Sequence, residues 1–371
     1  MNGPPLAVGE PFIGPRAFAA SMAGDLRADR VVVQDPAEAS AIHNRGWFGV
    51  PLPGGGLELS LLEAVYLSEA ARLEVHRDGH PVGMRELLRR AGATVDQFEI
   101  RYLVYRDLRQ RGYVVEERDG PTDFQVYPRG GAPKKTPSKY WVVALSERAV
   151  FSMDDVLARI AETAAVRKSL LLAVVDEESD LTYYAVRESE PRGHRPIPKV
   201  EGPVVVHFLG DRAMVVDETQ AHALHRAGFF GKIVGKRLQL SLLETAYLLK
   251  AGLVEVRNAD TERPIGFARL VREAKGIQPD FELRLRAYDD LTGRGVIAKT
   301  GFKYGSHFRV YEGDPDTTHA KYLVHALPRG HRGMWPEVSR AVRLAHGVKK
   351  QILFGEVGDA VRYVRLERVR P

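Results

Sequence analysis

Two stretches decide how this chain folds: LSLLEAVYL at Leu59–Leu67 and LSLLETAYL at Leu240–Leu248. They are nearly identical and lie 181 residues apart. Upstream, RGWFG (Arg45–Gly49) matches AGFFG (Ala227–Gly231). Downstream, YRDLRQRGYVV (Tyr105–Val115) matches YDDLTGRGVIA (Tyr288–Ala298), and DFQVY (Asp123–Tyr127) matches HFRVY (His307–Tyr311). TPSKYWV (Thr136–Val142) pairs with THAKYLV (Thr318–Val324), and RKSLLLAVV (Arg167–Val175) with KKQILFGEV (Lys349–Val357). Six blocks in one order, at offsets of 181 to 184, mean that one unit is written twice.

Each copy predicts the same elements. Ser60-x-x-Glu63 and Ser241-x-x-Glu244 read as capping boxes that open an apolar helix. A second helix is expected near Phe98–Gln110 and Phe281–Leu291, ended by Gly112 and Gly295. Apolar strand runs follow (YVV, FQVY and KYWVVAL; GVIA, FRVY and KYLVHAL). A third helix (Met153–Val166; Trp335–Gly347) leads into SLLLAVV or QILFGEV, and a last strand closes the unit. The expected class is mixed α/β: two tandem copies, each a small α/β N-terminal subdomain followed by a mixed-sheet C-terminal subdomain. The expected divisions are a leader or added strand at 1–28, a first repeat at 29–189, a linker at 190–202 and a second repeat at 203–371. The second repeat splits into 203–285 and 286–371. Pro, Gly and charge in Arg187–Gly202 read as an exposed linker.

Composition narrows the function. The chain has 371 residues, 44% hydrophobic and 27% charged, enough for more than one packed core. It has no cysteine, which excludes disulfides, thiol nucleophiles and Cys-ligated metals. No apolar run is long enough to span a membrane, and the N-terminus lacks a signal-peptide pattern, so a soluble cytoplasmic protein is expected. A net charge of +6 admits a polyanionic partner.

The copies differ where chemistry could sit. The second carries Tyr311, His319 and Lys350, where the first has Tyr127, Pro137 and Lys168. Proline cannot move a proton, so only the second copy keeps all three groups. A phenol, an imidazole and an ammonium suit cleavage of RNA by its own 2′-hydroxyl. That reaction needs a base for the 2′-OH, an acid for the leaving 5′-oxygen, and charge stabilisation at phosphorus. Histidine donates protons readily near neutrality. Tyrosine, with an unperturbed pKa of about 10, needs cationic neighbours to act as base. Taken singly, Tyr311 on a strand reads as packing, His319 as a solvated turn residue and Lys350 as a surface lysine. The one E-x-K triplet, Glu273-Ala274-Lys275, falls in a predicted helix, and its nearest acidic partner, Asp280, comes after it, the wrong order for a Mg²⁺ nuclease. No HExxH, P-loop or zinc spacing occurs. Neither a metal site nor a cofactor is expected.

The strings GFKYGSHFRVY (Gly301–Tyr311), THAKYLVHAL (Thr318–Leu327) and HGVKKQILF (His346–Phe354) resemble the catalytic region of archaeal tRNA-splicing endonucleases. The resemblance covers nearly all of the second copy and, more loosely, the first. It implies the duplicated-chain, homodimeric type, with a restriction-endonuclease-like sheet in each C-terminal subdomain. It implies Tyr311 as general base, His319 as general acid and Lys350 as charge stabiliser, with Lys349 as the competing assignment. His307 lies in the same motif but is set aside, because its first-copy counterpart is Asp123. Family members clamp a bulged base between cations. Arg343, whose counterpart is Ala161, and Arg365 in the arginine-rich tail are the candidates here. The resemblance also implies that an acidic loop, Asp176, Glu177, Glu178 and Asp180, docks between chains. The implied activity is excision of introns from precursor tRNA at bulge–helix–bulge structures, leaving 2′,3′-cyclic phosphate and 5′-hydroxyl ends without a metal. RNA of that shape and a second copy of the chain are the expected partners. The rival reading is a catalytically silent RNA-binding or assembly subunit.

Overall fold

The computed structural model describes residues 22–195 and 202–371. They divide into two compact units: the chain up to Glu116 with Val126–Ser138, and Glu117–Gln125 with everything from Lys139 onward.

In the first unit, Met22–Leu26 pairs antiparallel with Arg30–Val33 and parallel with Leu73–Arg77, inside a six-stranded sheet. Within the second unit, the second copy opens with the same plan. Val204–Phe208 pairs antiparallel with Ala213–Val215 and parallel with Val254–Asn258 in a five-stranded sheet. Met22–Leu26 is thus the counterpart of Val204–Phe208, and the first copy reaches back into the stretch read as leader. MAGDL and VVVHF share no residue, and Gly24 and Asp25 break the apolar pattern that would have marked the strand. The rest of the leader, residues 1–21, lies outside the described residues.

Both capping boxes form. Ser60 Oγ accepts from Glu63 N at 3.2 Å, and Glu63 Oε2 accepts from Ser60 N at 3.0 Å. Ser241 and Glu244 make the same two bonds at the same lengths. Each glutamate also accepts from the glycine ending the upstream FG block, Gly49 at 2.9 Å and Gly231 at 2.8 Å. Those glycines have φ of +66° and +61°, and an added Cβ would lie 2.5 or 2.4 Å from a backbone oxygen. Two repeat blocks far apart in sequence are therefore one hydrogen-bonded corner.

The helices Phe98–Gln110 and Trp335–Gly347 form over the predicted spans, and Phe281–Gly293 runs slightly past its predicted end. Eight neighbouring strands of one sheet belong to the second unit. In order they are Ile297–Thr300, Phe308–Tyr311, Tyr322–Pro328, Gln351–Val357, Val361–Val369, Leu181–Glu188, Ser169–Val175 and Tyr140–Ser146. Each copy ends in a parallel pair followed by an antiparallel hairpin. The closing strands of the copies pair antiparallel, with Val186 opposite Leu366. Tyr183 and Tyr363 align the two hairpins, so Val186 faces its own counterpart. Val150–Ser152 and Arg332–Met334 also pair antiparallel, with Phe151 opposite its counterpart Gly333. Two independent ladders thus centre on equivalent residues, the contact an isologous dimer makes, here within one chain. One core runs beneath both: Met153, Leu157 and Leu172 from the first copy pack with Trp335, Val338 and Phe354 from the second. Burial of each such side chain contributes about 1.5–3 kcal/mol.

The described part of the predicted linker is not free chain. Pro191 is buried, and Gly193 N and Arg195 N donate to the carbonyls of Arg294 at 3.1 Å and Gly295 at 2.8 Å. The Arg195 guanidinium lies 4.5 Å from the centre of the Phe230 ring. Residues 196–201 lie outside the described residues. Among the described residues, no helix is long and apolar enough to cross a membrane.

Candidate active site

Strand register fixes where the three candidate groups fall. Tyr311 ends the strand Phe308–Tyr311, which pairs with Tyr322–Pro328 through Val310 opposite Tyr322. Tyr322–Pro328 runs parallel to Gln351–Val357, with Tyr322 opposite Gln351. His319 precedes the first of this parallel pair and Lys350 immediately precedes the second. All three positions therefore sit at one edge of the sheet. Arg309, Leu323 and Ile352 lie side by side across the three strands. With a side-chain period of two, Tyr311 and Lys350 follow on that same face.

Tyr311 is 6% exposed and packs against Ile297, Ala320 and the partly buried Phe229. The Arg309 guanidinium lies 5.7 Å from the centre of its ring. Arg309 Nε is buried and, among the described residues, has no hydrogen-bond partner. His319 is exposed. A turn delivers it: the carbonyl of Asp314 accepts from Thr318 N at 2.9 Å and from Thr318 Oγ1 at 2.6 Å. On its other side, Ala320 is buried and Lys321 N donates to the Val310 carbonyl at 2.9 Å.

Lys350 follows the helix Trp335–Gly347, whose last turn closes through Lys350 N donating to the Ala345 carbonyl at 2.9 Å. Lys349 takes φ of +54°, the left-handed turn that ends the helix, as Arg167 does at +56° in the first copy. Lys349 is exposed, whereas Lys350 is half-buried, with Nζ 5.5 Å from the centre of the Tyr304 ring. Lys350 also lines an open pocket with His346, Gln351, Arg365, Glu367 and Arg368.

The other predicted residues are placed as follows. Arg365 lines the Lys350 pocket, is largely buried and is ion-paired to Glu367. Arg343 is exposed on the Trp335–Gly347 helix, whose Val342 and Ala345 line the pocket. Asp176–Asp180 is the exposed turn of a hairpin. Asp176 Oδ1 accepts from Glu178 N and Asp180 N, and Glu177 pairs with Arg148 at 2.7 Å. The acidic run is thus partly spent on its own turn. Glu273 and Lys275 pair with Arg269 and Glu282 on the surface. Among the described residues, no group of three or more His, Asp or Glu is arranged to hold a metal ion.

His307 has a role of its own. Its Nδ1 accepts from Ala326 N at 3.0 Å, as Asp123 Oδ2 accepts from Ala144 N at 2.8 Å at the equivalent place. An acceptor is all the position needs, which explains the exchange of His for Asp. Burial, then the charges of Arg284 and His325, push its imidazole down to about 4.

The sequence reading missed Arg309, Tyr304 and His346; Arg368 was among the tail arginines it left open beside Arg365. Arg309 was within reach, since two residues back along a strand is the same face. The others come together only through the folded turn and the helix end.

Two family models each match this chain twice. The tRNA intron endonuclease N-terminal domain matches residues 22–88 and 205–271, and the tRNA intron endonuclease catalytic C-terminal domain matches residues 98–183 and 281–363. The chain belongs to the tRNA intron endonuclease family. It is an enzyme of that family, built from two tandem copies of the family's two-domain unit. It is similar to the tRNA-splicing endonuclease of Methanococcoides burtonii, with 39% identity over 94% of this chain and 100% of that protein. The tRNA-splicing endonuclease of Methanosarcina mazei is 39% identical over 93% of this chain and 98% of its own length. That of Halobacterium salinarum is 35% identical over 94% and 100%.

Proposed function

We propose that this chain excises introns from precursor tRNA in the cytoplasm, cutting bulge–helix–bulge structures by attack of the RNA's own 2′-hydroxyl. Tyr311 takes the 2′-OH proton, His319 protonates the departing 5′-oxygen, and Lys350 offsets the charge gathering on the phosphorus oxygens. The products are a 2′,3′-cyclic phosphate and a 5′-hydroxyl, and no metal takes part. The observation that carries this reading is the register that brings three strand ends, and with them these three residues, to one edge of one sheet. Arg309 beside the phenol supports Tyr311 as base. Arg365 and Arg343 hold a splayed bulge base, which RNA helices themselves cannot present.

In this reading residues 203–371 are the catalytic repeat, and the first repeat is scaffold that contributes its acidic hairpin to a homodimer. Two sites related by dimer symmetry then meet two bulges related by the symmetry of the RNA.

The test is cleavage of a bulge–helix–bulge RNA in EDTA, with end-group analysis. Cyclic phosphate and 5′-hydroxyl ends are expected. A 5′-phosphate end overturns the mechanism, and no cleavage by wild type makes the chain a silent RNA-binding or assembly subunit. For assembly, replacing Asp176, Glu177, Glu178 and Asp180 by alanine is expected to lower the mass in solution; an unchanged dimer removes the docking role.

A further inference from the structure

The turn joining Ile297–Thr300 to Phe308–Tyr311 carries Phe302, whose side chain is 86% exposed. A phenyl ring left in water forgoes one of the larger burial gains available to a side chain. Yet this turn is built to present it. The Gly301 carbonyl accepts from Tyr304 N at 2.8 Å and Ser306 N at 3.3 Å, and the Phe302 carbonyl accepts from Gly305 N at 3.0 Å. A Cβ on Gly301 would lie 2.7 Å from the Ser306 carbonyl oxygen, so the turn closes only around glycine. Tyr304 ties it down, packing on the core under the Trp335–Gly347 helix with its ring 5.5 Å from Lys350 Nζ. The exposed ring is therefore held on a short turn whose Tyr304 ring lies beside Lys350.

The first copy shows what the scaffold alone requires. In place of Phe302-Lys303-Tyr304 its turn has Asp119-Gly120-Pro121, with one residue fewer between the flanking strands. The fold needs neither the aromatics nor the lysine there; only the repeat carrying Tyr311, His319 and Lys350 has them.

We propose that Phe302 is a stacking platform for an unpaired nucleotide of the RNA next to the cleaved phosphate, with Lys303 meeting the adjoining backbone. Every base has a π face, so an exposed aromatic ring takes an unpaired nucleotide with little regard to its identity. Lys303 and Lys350 supply the positive charge that a polyanion matches. Stacking here fixes the nucleotide's sugar relative to Lys350, turning binding energy into alignment of the 2′-OH. The inference rests on RNA cleavage as proposed above.

The experiment uses wild type, Phe302→Ala and Phe302→Trp with a bulge–helix–bulge RNA. One RNA carries a 2′-deoxy nucleotide at the cut for binding, and a set carries 2-aminopurine at successive bulge positions. Phe302→Ala is expected to weaken RNA binding or kcat/KM by roughly tenfold and to abolish the quenching of one 2-aminopurine. Phe302→Trp keeps both within about threefold, and the sedimenting mass is unchanged in both variants. If Phe302→Ala binds, quenches and cleaves as wild type does, the platform is wrong. If it changes the sedimenting mass but not RNA affinity, the ring is a protein contact and the proposal is overturned. Wild type that leaves the RNA uncut removes the underlying reading instead, a result seen without either variant.

Discussion

Tyr127 and Tyr311 end equivalent strands, both nearly buried, beside different charged groups. The Tyr127 hydroxyl donates to Glu116 at 2.5 Å. At the position matching Glu116 the second copy has Lys299, and at the position matching Gln125 it has Arg309. Two exchanges on neighbouring strands thus separate a phenol whose proton is committed to a carboxylate from one set against a cation. The same fold supports both, so in the proposed reading the difference between scaffold and site lies in a few side chains at the ends of neighbouring strands.

The sharpest way to break this comparison is to remove His319 or to move it to the first copy. His319→Ala is expected to lower single-turnover cleavage by about 100- to 10,000-fold. The reciprocal Pro137→His leaves the rate unchanged, because a histidine alone does not free the Tyr127 proton from Glu116. Activity retained in His319→Ala, or gained in Pro137→His, ends the proposed division of labour between the copies.

A smaller effect concerns the same exchange of charge. Lys299 Nζ lies 2.9 Å from Glu244 Oε1 and 3.0 Å from the Gly231 carbonyl, with both side chains largely buried. Burial works against the Glu244 charge, but Lys299 and the N–H groups of Ser241 and Gly231 outweigh it and hold the carboxyl below its usual range. Lys299→Met leaves that buried carboxylate with backbone N–H partners but no opposing charge and is expected to cost about 3 kcal/mol in chemical denaturation. Glu116→Gln in the first copy is expected to change stability by no more than about 1 kcal/mol. Equal costs would mean that the Lys299–Glu244 pair contributes no more than an exposed one.

The mildest prediction is a pH slope. The unfolded chain protonates His307 near 6.5, whereas the folded protein refuses the proton until about 4. Stability from this residue is therefore complete above 6.5 and declines as pH falls from 6.5 toward 4. His307→Asn, which keeps an acceptor for Ala326 N, is expected to flatten the melting temperature over that interval. An unaltered slope assigns the acid sensitivity elsewhere.

Much of this was legible in the sequence. LSLLE announced the corners because a capping box is local chemistry, and the helices followed from apolar spacing with glycine stops. His319 stood out through the contrast with Pro137, whereas Tyr311 and Lys350, matched by Tyr127 and Lys168, were singled out only by the family resemblance. What stayed hidden was non-local. The strand Met22–Leu26 takes its place from its neighbours and carries no alternation of its own. The anchoring of Gly193 and Arg195 on Arg294 and Gly295 depends on backbone groups that no residue type reports. The union of Leu181–Glu188 with Val361–Val369 joins two strands that each look like the end of a unit. Arg309 and Tyr304 needed the register and the folded turn before they could be seen beside Tyr311 and Lys350.

The ladders centred on Val186–Leu366 and Phe151–Gly333 have an evolutionary corollary. In an assembly of identical chains every substitution appears on both sides of the axis, so an edit that suits one partner is forced on the other. Joining the partners covalently lifts that restriction and makes their encounter independent of concentration. Proline could then replace histidine on one side, and aspartate could replace an exposed phenylalanine, without touching the opposite flank.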